Sequence, residues 1–358
     1  MLLVSVLFVV WAQCFIPTAA NKFARVADKK LWEQQACPAE MAVYNCYFQG
    51  MGSHAEHLDT WQHPEGTRHD PVHFLERIGE RSVLFYGDSI MLQTFVGTVC
   101  NIYGTEGVTA EFNLTWNYRD WLGQLNCPYG SKHCELMSSS CVLFNGHTRM
   151  CFEWHDGVNE PSPTKLHDRL RLHGMNNNDI VVGSIGTWFF QSTDIAGETA
   201  KFTTAVKAIQ NEVQLLKMEQ NFYYVENSPQ HFGNQRQLQG YYFKDLSSQY
   251  SVGADAYLRS GFKTPNPCVA LANKTLAYET DVRNRVPQKV FGDSVHFIRT
   301  WSHLADLHWA HVTTPRRPGR SFVLDCSHWC MPGPLVHIFA KGFAKAFVPF
   351  KLEHPVPY

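Results

Sequence analysis

The chain has 358 residues, 44% of them hydrophobic and 18% charged, with a formal net charge of −1. That balance supports a packed core and excludes wholesale disorder. A near-neutral chain without a basic stripe carries no electrostatic footprint for a polyanion, which excludes nucleic acid as the main partner.

The chain opens MLLVSVLFVVWAQCFIPTAANKF. Residues 2–16 are almost entirely apolar, and Pro17 and the small residues Thr18, Ala19 and Ala20 follow. This predicts a signal peptide over 1–20, although no positive charge precedes the apolar run. The alternative is a retained anchor, but the run is shorter than the roughly 20 residues that span a bilayer. Either choice sends the chain into the secretory pathway, and a membrane is a partner only if the segment is retained. Eleven cysteines agree with that route: without Cys14 of the leader ten remain (11 − 1), an even number that an oxidising lumen turns into disulfides. Pairing cannot be deduced from sequence; the candidates are Cys37, Cys46, Cys127, Cys134, Cys141, Cys151, Cys326 and Cys330. Asn113 and Asn273 head the sequons Asn-Leu-Thr and Asn-Lys-Thr and are the candidate glycosylation sites.

Residues 21–79 form an expected N-terminal lobe that is loop-rich and held by the cysteines of CPAEMAVYNC. Residues 80–358 make the main domain. It begins with RSVLFYGDS, an apolar run ending at Gly87 that reads as a buried strand. From Ser89 the spacing turns helical, with Leu92, Phe95, Val96 and Val99 on one face. CVLFNGHTRMCFEW (141–154) predicts a hairpin turning at Asn145-Gly146. DIVVGSIG (179–186) is a second buried strand. Phe202, Val206, Ile209, Val213 and Leu216 define a helix over 198–218, and the strand NFYYVEN follows at once. Strand–helix–strand alternation implies an α/β fold with a parallel sheet.

A strand that stops at Gly-Asp-Ser and becomes a helix places Ser89 at a helix N-terminus, on the carboxyl edge of a parallel sheet where ligands bind. Free backbone N–H groups and the positive dipole end lie there, suited to stabilising the oxyanion of an acyl-transfer intermediate. A serine nucleophile needs a general base, and the base needs an orienting carboxylate. VLDCSHWCMPGP (323–334) supplies both: His328 as base, with Asp325 three residues earlier. A second Gly-Asp-Ser, at 292–294, is followed by the β-like Val295, Phe297 and Ile298; Ser294 is expected at a strand start without a catalytic role.

FLERIGERSVLFYGDSIMLQTFVGTVC together with LDCSHWCMPGP resembles the plant trichome-birefringence-like proteins and their algal relatives, within the GDSL/SGNH (PC-esterase) group. CPAEMAVYNCYFQG…WQHP, DIVVGSIGTWF and VENSPQHF are similar to further segments of that family, so the resemblance runs over roughly residues 31 to 345. It implies a three-layer α/β/α sandwich of the SGNH-hydrolase type beside the small disulfide-held lobe. It also implies residence in the Golgi lumen or membrane, or secretion, and acyl-ester chemistry on glycans, chiefly O-acetylation of cell-wall polysaccharides. By this carry-over Ser89, His328 and Asp325 are a triad. Gly87, Asp88, Ile90, Ser184, Gly186 and His231 are the candidates for oxyanion or substrate contact. The expected partners are an acyl donor and a glycan or other hydroxyl acceptor, with the acetyl donor a co-substrate and no tightly bound cofactor. The chain departs from the family where Leu92 and Gln93 replace Arg and Asn, and where Ser184 and Thr187 replace Asn and His.

Other readings use the same residues. Cys326, His328 and Cys330, with His308 and His311, contain metal-ligand types, but no second cysteine pair has zinc-like spacing, so no metal is expected. The two cysteines are read instead as members of separate disulfides pinning the loop that carries Asp325 and His328. Ser89 could be an ordinary helix N-cap. Trp188 and Trp329 are either core or a sugar-stacking wall. An esterase with the same triad, and a glycan-binding or scaffolding protein without turnover, are the alternatives to a transferase.

Overall fold

The computed structural model describes residues 71–103, 105–114, 139–155, 157–158, 165–190, 194–231, 268–271, 273–314, 323–329 and 333–347. The side chains of 113, 114, 139, 312–314 and 323–325 lie outside that description. In chain order the elements are α1 (Pro71–Ile78), β1 (Val83–Gly87), α2 (Ser89–Tyr103), β2 (Ala110–Leu114), β3 (Ser139–Phe144), β4 (Thr148–Trp154), α3 (Leu166–Leu172), β5 (Ile180–Ser184) and α4 (Ile195–Leu215). They continue with β6 (Phe222–Val225), α5 (Lys274–Thr280), α6 (Val282–Phe291), β7 (His296–Ile298), α7 (Trp301–Leu304), β8 (His311–Thr314), β9 (Val323–Trp329) and α8 (Pro334–Ala346).

Seven strands form one sheet in the order β2-β3-β4-β1-β5-β6-β7. From β4 to β7 every neighbouring pair is parallel, while β2 and β3 extend the β4 edge antiparallel. Strands β1 and β5 are buried along their whole length, as the unbroken runs VLFYG and IVVGS require of strands covered on both faces. Side chains alternate across β1. Val83 and Phe85 enter a core shared with Phe74 of α1, Phe95 and Val99 of α2, and Phe339 and Phe343 of α8. Leu84 and Tyr86 face Leu166 and Leu170 of α3, Phe202, Val206 and Val213 of α4, and Phe291 of α6. The result is the three-layer α/β/α sandwich. The chain leaves β1 toward the β2-β3-β4 side and returns to β5 on the other, so β1 lies at the switch point where such sheets bind ligands.

The hairpin turns where Asn145-Gly146 predicts: both residues have positive φ, 50° and 74°, and His147 N–H bonds Phe144 O at 3.1 Å. Helix α4 starts at Ile195 because Asp194 caps it through Gly197 N–H, and Phe202, Val206, Ile209 and Val213 are its buried stripe. Helix α2 differs from the one-faced helix its spacing suggests, since every residue but Tyr103 is buried. Sheet, α1, α8 and β9 enclose it. Its buried hydroxyls are satisfied internally, Thr94 donating to Ile90 O and Thr98 to Thr94 O.

Strands β8 and β9 form a separate antiparallel ribbon. Trp329 at its end packs with Ile90, Leu304, Leu335 and Ile338, and a disulfide from Cys326 to Cys268 ties β9 to a segment 58 residues earlier. A second disulfide joins Cys141 and Cys151 across β3 and β4, and Cys100 of α2 is also disulfide-bonded. Cys268 and Cys100 were absent from the sequence-based candidates. Cys37, Cys46, Cys127, Cys134 and Cys330, residues 21–70 of the expected 21–79 lobe and the leader all lie outside the described residues, whereas Pro71–Ile78 of that expected lobe is helix α1, packed into the main core. Among the described residues no helix is long and apolar enough to cross a membrane. The exposed Asn273 caps α5, accepting from Leu276 N–H at 2.9 Å. Asn113 lies on β2, its side chain undescribed.

Candidate active site

The turn between β1 and α2 is built by its first two residues so that the third is available. Gly87 is required by close packing: a Cβ there would stand 2.0 Å from Ser184 O on β5. Asp88 is the helix cap. Its carbonyl accepts from Leu92 N–H and its Oδ1 from Ile90 N–H, both at 3.0 Å. Its other oxygen, Oδ2, accepts from Gly186 N–H at 3.1 Å and Thr187 N–H at 2.9 Å, joining the turn to the loop after β5. Burial raises the Asp88 carboxyl above the ordinary aspartate value, against the lowering effect of the Thr187 and Ile90 bonds and of nearby His328. With Asp88 in the capping position, the Ser89 hydroxyl has no capping duty. The N-cap reading of Ser89 falls on that ground.

The Ser89 hydroxyl meets the histidine 239 positions later: Ser89 Oγ and His328 Nε2 are 2.6 Å apart. Ser89 is buried and His328 half-buried. Asp325 lies on the same strand with its backbone opposite Val312; its side chain is outside the described residues.

The strand bearing His328 is held at several points. Gln230 Nε2 bonds Ser327 Oγ at 2.9 Å, and His231 N–H donates to Cys326 O at 3.0 Å. Behind these runs a buried histidine pair. His231 Nε2 bonds Ala305 O at 3.1 Å, His231 Nδ1 bonds His311 Nε2 at 2.7 Å, and His311 Nδ1 bonds His328 O at 2.8 Å. Both outer partners are carbonyls and can only accept. Desolvation pulls His231 down to about 4, so it is neutral at pH 7, donates to Ala305 and accepts from His311. The His311 ring packs on Trp329, their centroids 4.1 Å apart.

These contacts revise several expectations. The backbone donors of Ile90 and Gly186 are occupied by Asp88, and the Asp88 carboxylate is an acceptor sealed from solvent, so none of the three faces a reacting oxyanion. Gly87 acts sterically. The Ser184 hydroxyl pairs with buried Tyr224. His231 is fully buried with both ring nitrogens engaged by protein, so it supports the ribbon rather than meeting substrate. Trp329 is fully buried and belongs to no sugar-binding wall. Half-buried Trp188 instead pairs with half-buried Trp154, their centroids 6.5 Å apart, at the edge where Trp154 stands beside Gly87. Cys326, in a disulfide, offers no thiolate to a metal. Of the other two metal-ligand types, His308 opens a short 3₁₀ turn and His311 begins β8. Leu92 is core, whereas Gln93 bonds both peptide groups of Trp329. Trp154 escaped the sequence reading, which named Gln93 only as a departure from the family pattern and His311 only as a metal-ligand type, because the partners that give them their places lie far along the chain.

A family model described as PC-Esterase, the GDSL/SGNH-like acyl-esterase family found in Pmr5 and Cas1p, matches residues 67–336. The chain belongs to this family. No curated protein matches it. The matched span contains both halves of the site, from the Gly-Asp-Ser turn to His328. In this PC-esterase the SGNH-like fold and general acyl-ester chemistry therefore coincide with a serine and a histidine in hydrogen-bond contact.

Proposed function

We propose that the protein transfers an acyl group, most simply acetyl, from a donor to a hydroxyl of a glycan through an acyl-serine intermediate. The single observation behind this is the 2.6 Å contact between Ser89 Oγ and His328 Nε2. In the first step His328 removes the Ser89 proton as the oxygen attacks the donor carbonyl. Asp325, three residues before His328, is assigned to hold the imidazole by the spacing of DCSH. The N–H groups of an α-helix's first turn lack intrahelical partners, and that of Ser89 is the proposed donor to the oxyanion. Collapse expels the donor's leaving group, which takes the proton from His328. In the second step His328 deprotonates the sugar hydroxyl as it attacks the acetyl-serine, the bond from Ser89 Oγ to the acetyl carbon breaks, and His328 returns the proton to Ser89 Oγ. Trp154 and Trp188 supply apolar faces at the same edge against which a sugar ring can stack.

Half-exposed His328 is also within reach of water, and hydrolysis of the same acyl-serine is the second reading. Incubation with a labelled acetyl donor, with and without oligosaccharide, separates the two. Label on sugar supports transfer, and acetate release independent of acceptor supports the esterase. Sugar binding without turnover leaves only a binding protein, and undiminished activity in Ser89→Ala refutes the acyl-serine route.

A further inference from the structure

We infer that Gln93 is a positioning residue that fixes His328 against Ser89, a conclusion that rests on the acyl-serine reading for its catalytic consequence. Gln93 follows Ser89 by four positions on α2, so both project from one face of the helix. Trp329 follows His328 directly on β9. The two pairs meet in parallel: Ser89 Oγ touches His328 Nε2 at 2.6 Å, and one turn further along Gln93 grips the next residue. Its Nε2 donates to Trp329 O at 2.6 Å and its Oε1 accepts from Trp329 N–H at 3.0 Å. The side-chain amide thus pairs with the outer edge of the β8–β9 ribbon as a neighbouring strand would. In a strand the N–H and C=O of one residue share an edge and those of the next residue face the opposite one, and on that other edge His311 Nδ1 holds His328 O at 2.8 Å. The peptides beside the base are therefore clamped from both sides.

Two features set this apart from simple satisfaction of buried polar groups. Gln93 has no exposed surface, and its amide joins the nucleophile's own helix to the base's own strand, so it sets their mutual distance directly. It also uses donor and acceptor together. Glutamate lacks the donor and asparagine lacks the reach of the extra methylene, while methionine keeps the length and loses both bonds. Leu92, the neighbouring departure from the family pattern, is core and makes no such link.

The test compares wild type, Gln93→Met and Gln93→Glu on 4-nitrophenyl acetate, normalised to folded protein from thermal melts. Gln93→Met is expected to lower kcat about 10- to 100-fold with KM within about twofold, and to slow fluorophosphonate labelling of Ser89 equally. Gln93→Glu, which turns a buried carboxylate oxygen against Trp329 O, is expected to lose at least as much. A lower melting temperature with wild-type kcat and labelling per folded molecule overturns the inference. Should wild type neither turn over nor label, the acyl-serine reading fails, and a crystal structure of Gln93→Met decides the positioning claim independently. Separation of Ser89 Oγ and His328 Nε2 beyond hydrogen-bond range supports it, and an unchanged 2.6 Å overturns it. If neither variant folds, hydrogen exchange of wild type decides: a protected Trp329 N–H supports the clamp, and exchange as fast as an open strand edge overturns it.

Discussion

Gly-Asp-Ser occurs twice, at 87–89 and 292–294, and the two copies have opposite fates. In the first, glycine ends a buried strand, aspartate caps a helix through Ile90 N–H and holds the loop after β5 through Gly186 and Thr187 N–H, and the serine hydroxyl meets His328. In the second, Gly292 ends α6 at φ 54°, Asp293 is exposed, and Ser294 Oγ donates to Phe291 O at 2.6 Å just before β7 begins. The first copy follows a parallel strand and so stands at the sheet's carboxyl edge. The second precedes one and stands at the amino edge, away from the helix N-terminus and the ribbon. What separates them is chain direction relative to the sheet.

The sharpest way to break this contrast is to truncate both serines. Ser89→Ala is expected to cost about 10,000-fold in acetyl-ester turnover, with His328→Ala adding little to it, because nucleophile and base act as a unit. Ser294→Ala should stay within about twofold, losing only a local bond to Phe291. Comparable losses at both positions would mean that the wrong copy was chosen.

Unlinking the first copy's distant partner comes next. Replacing Cys268 and Cys326 together by serine opens a loop of 58 residues and should remove about 4 kcal/mol from the unfolding free energy, read from denaturant midpoints. The aspartates should differ in the same sense. Asp88→Asn turns an amide toward buried N–H donors and should cost about 3 kcal/mol, while Asp293→Asn at an exposed site should change stability by under about 0.5 kcal/mol.

Acid acts on the ribbon. The folded-state value of His231 is depressed from 6.5 to about 4, so its contribution is intact above pH 6.5 and is lost as pH falls toward 4. The loss should reach about 3 kcal/mol, from the size of that shift. Urea midpoints across this range should fall less steeply in His231→Gln, and an identical slope would remove His231 as the cause.

Much of the layout was legible because it is local. The apolar run before Gly87, the Asn145-Gly146 turn and the four-and-three spacing from Phe202 to Val213 each carry their structure in neighbouring residues. The serine and histidine were legible from residue type and context, and the structure places them together. Less visible was what each polar group would be used for. Asp88, Ile90 and Gly186 were candidates for substrate contact, yet they bond one another, since a buried carboxylate takes whatever N–H groups the adjoining loop offers. His231 looked like a substrate ligand and became a strut because its partner, His311, arrives 80 positions later on the ribbon. The burial of every α2 residue but Tyr103 was equally hidden, for part of its cover comes from β9 and α8.

The central strand–helix–strand units, the Gly-Asp-Ser turn and the residue types of the DCSH segment were determined by sequence alone, because backbone sterics, hydrophobic periodicity and side-chain chemistry act over a few residues. The tertiary structure alone decided which amide bonds the strand that bears His328 and which cysteine ties that strand down. Those outcomes depend on how a ribbon from the far end of the chain docks on the first long helix, where burial makes every polar group find a specific partner.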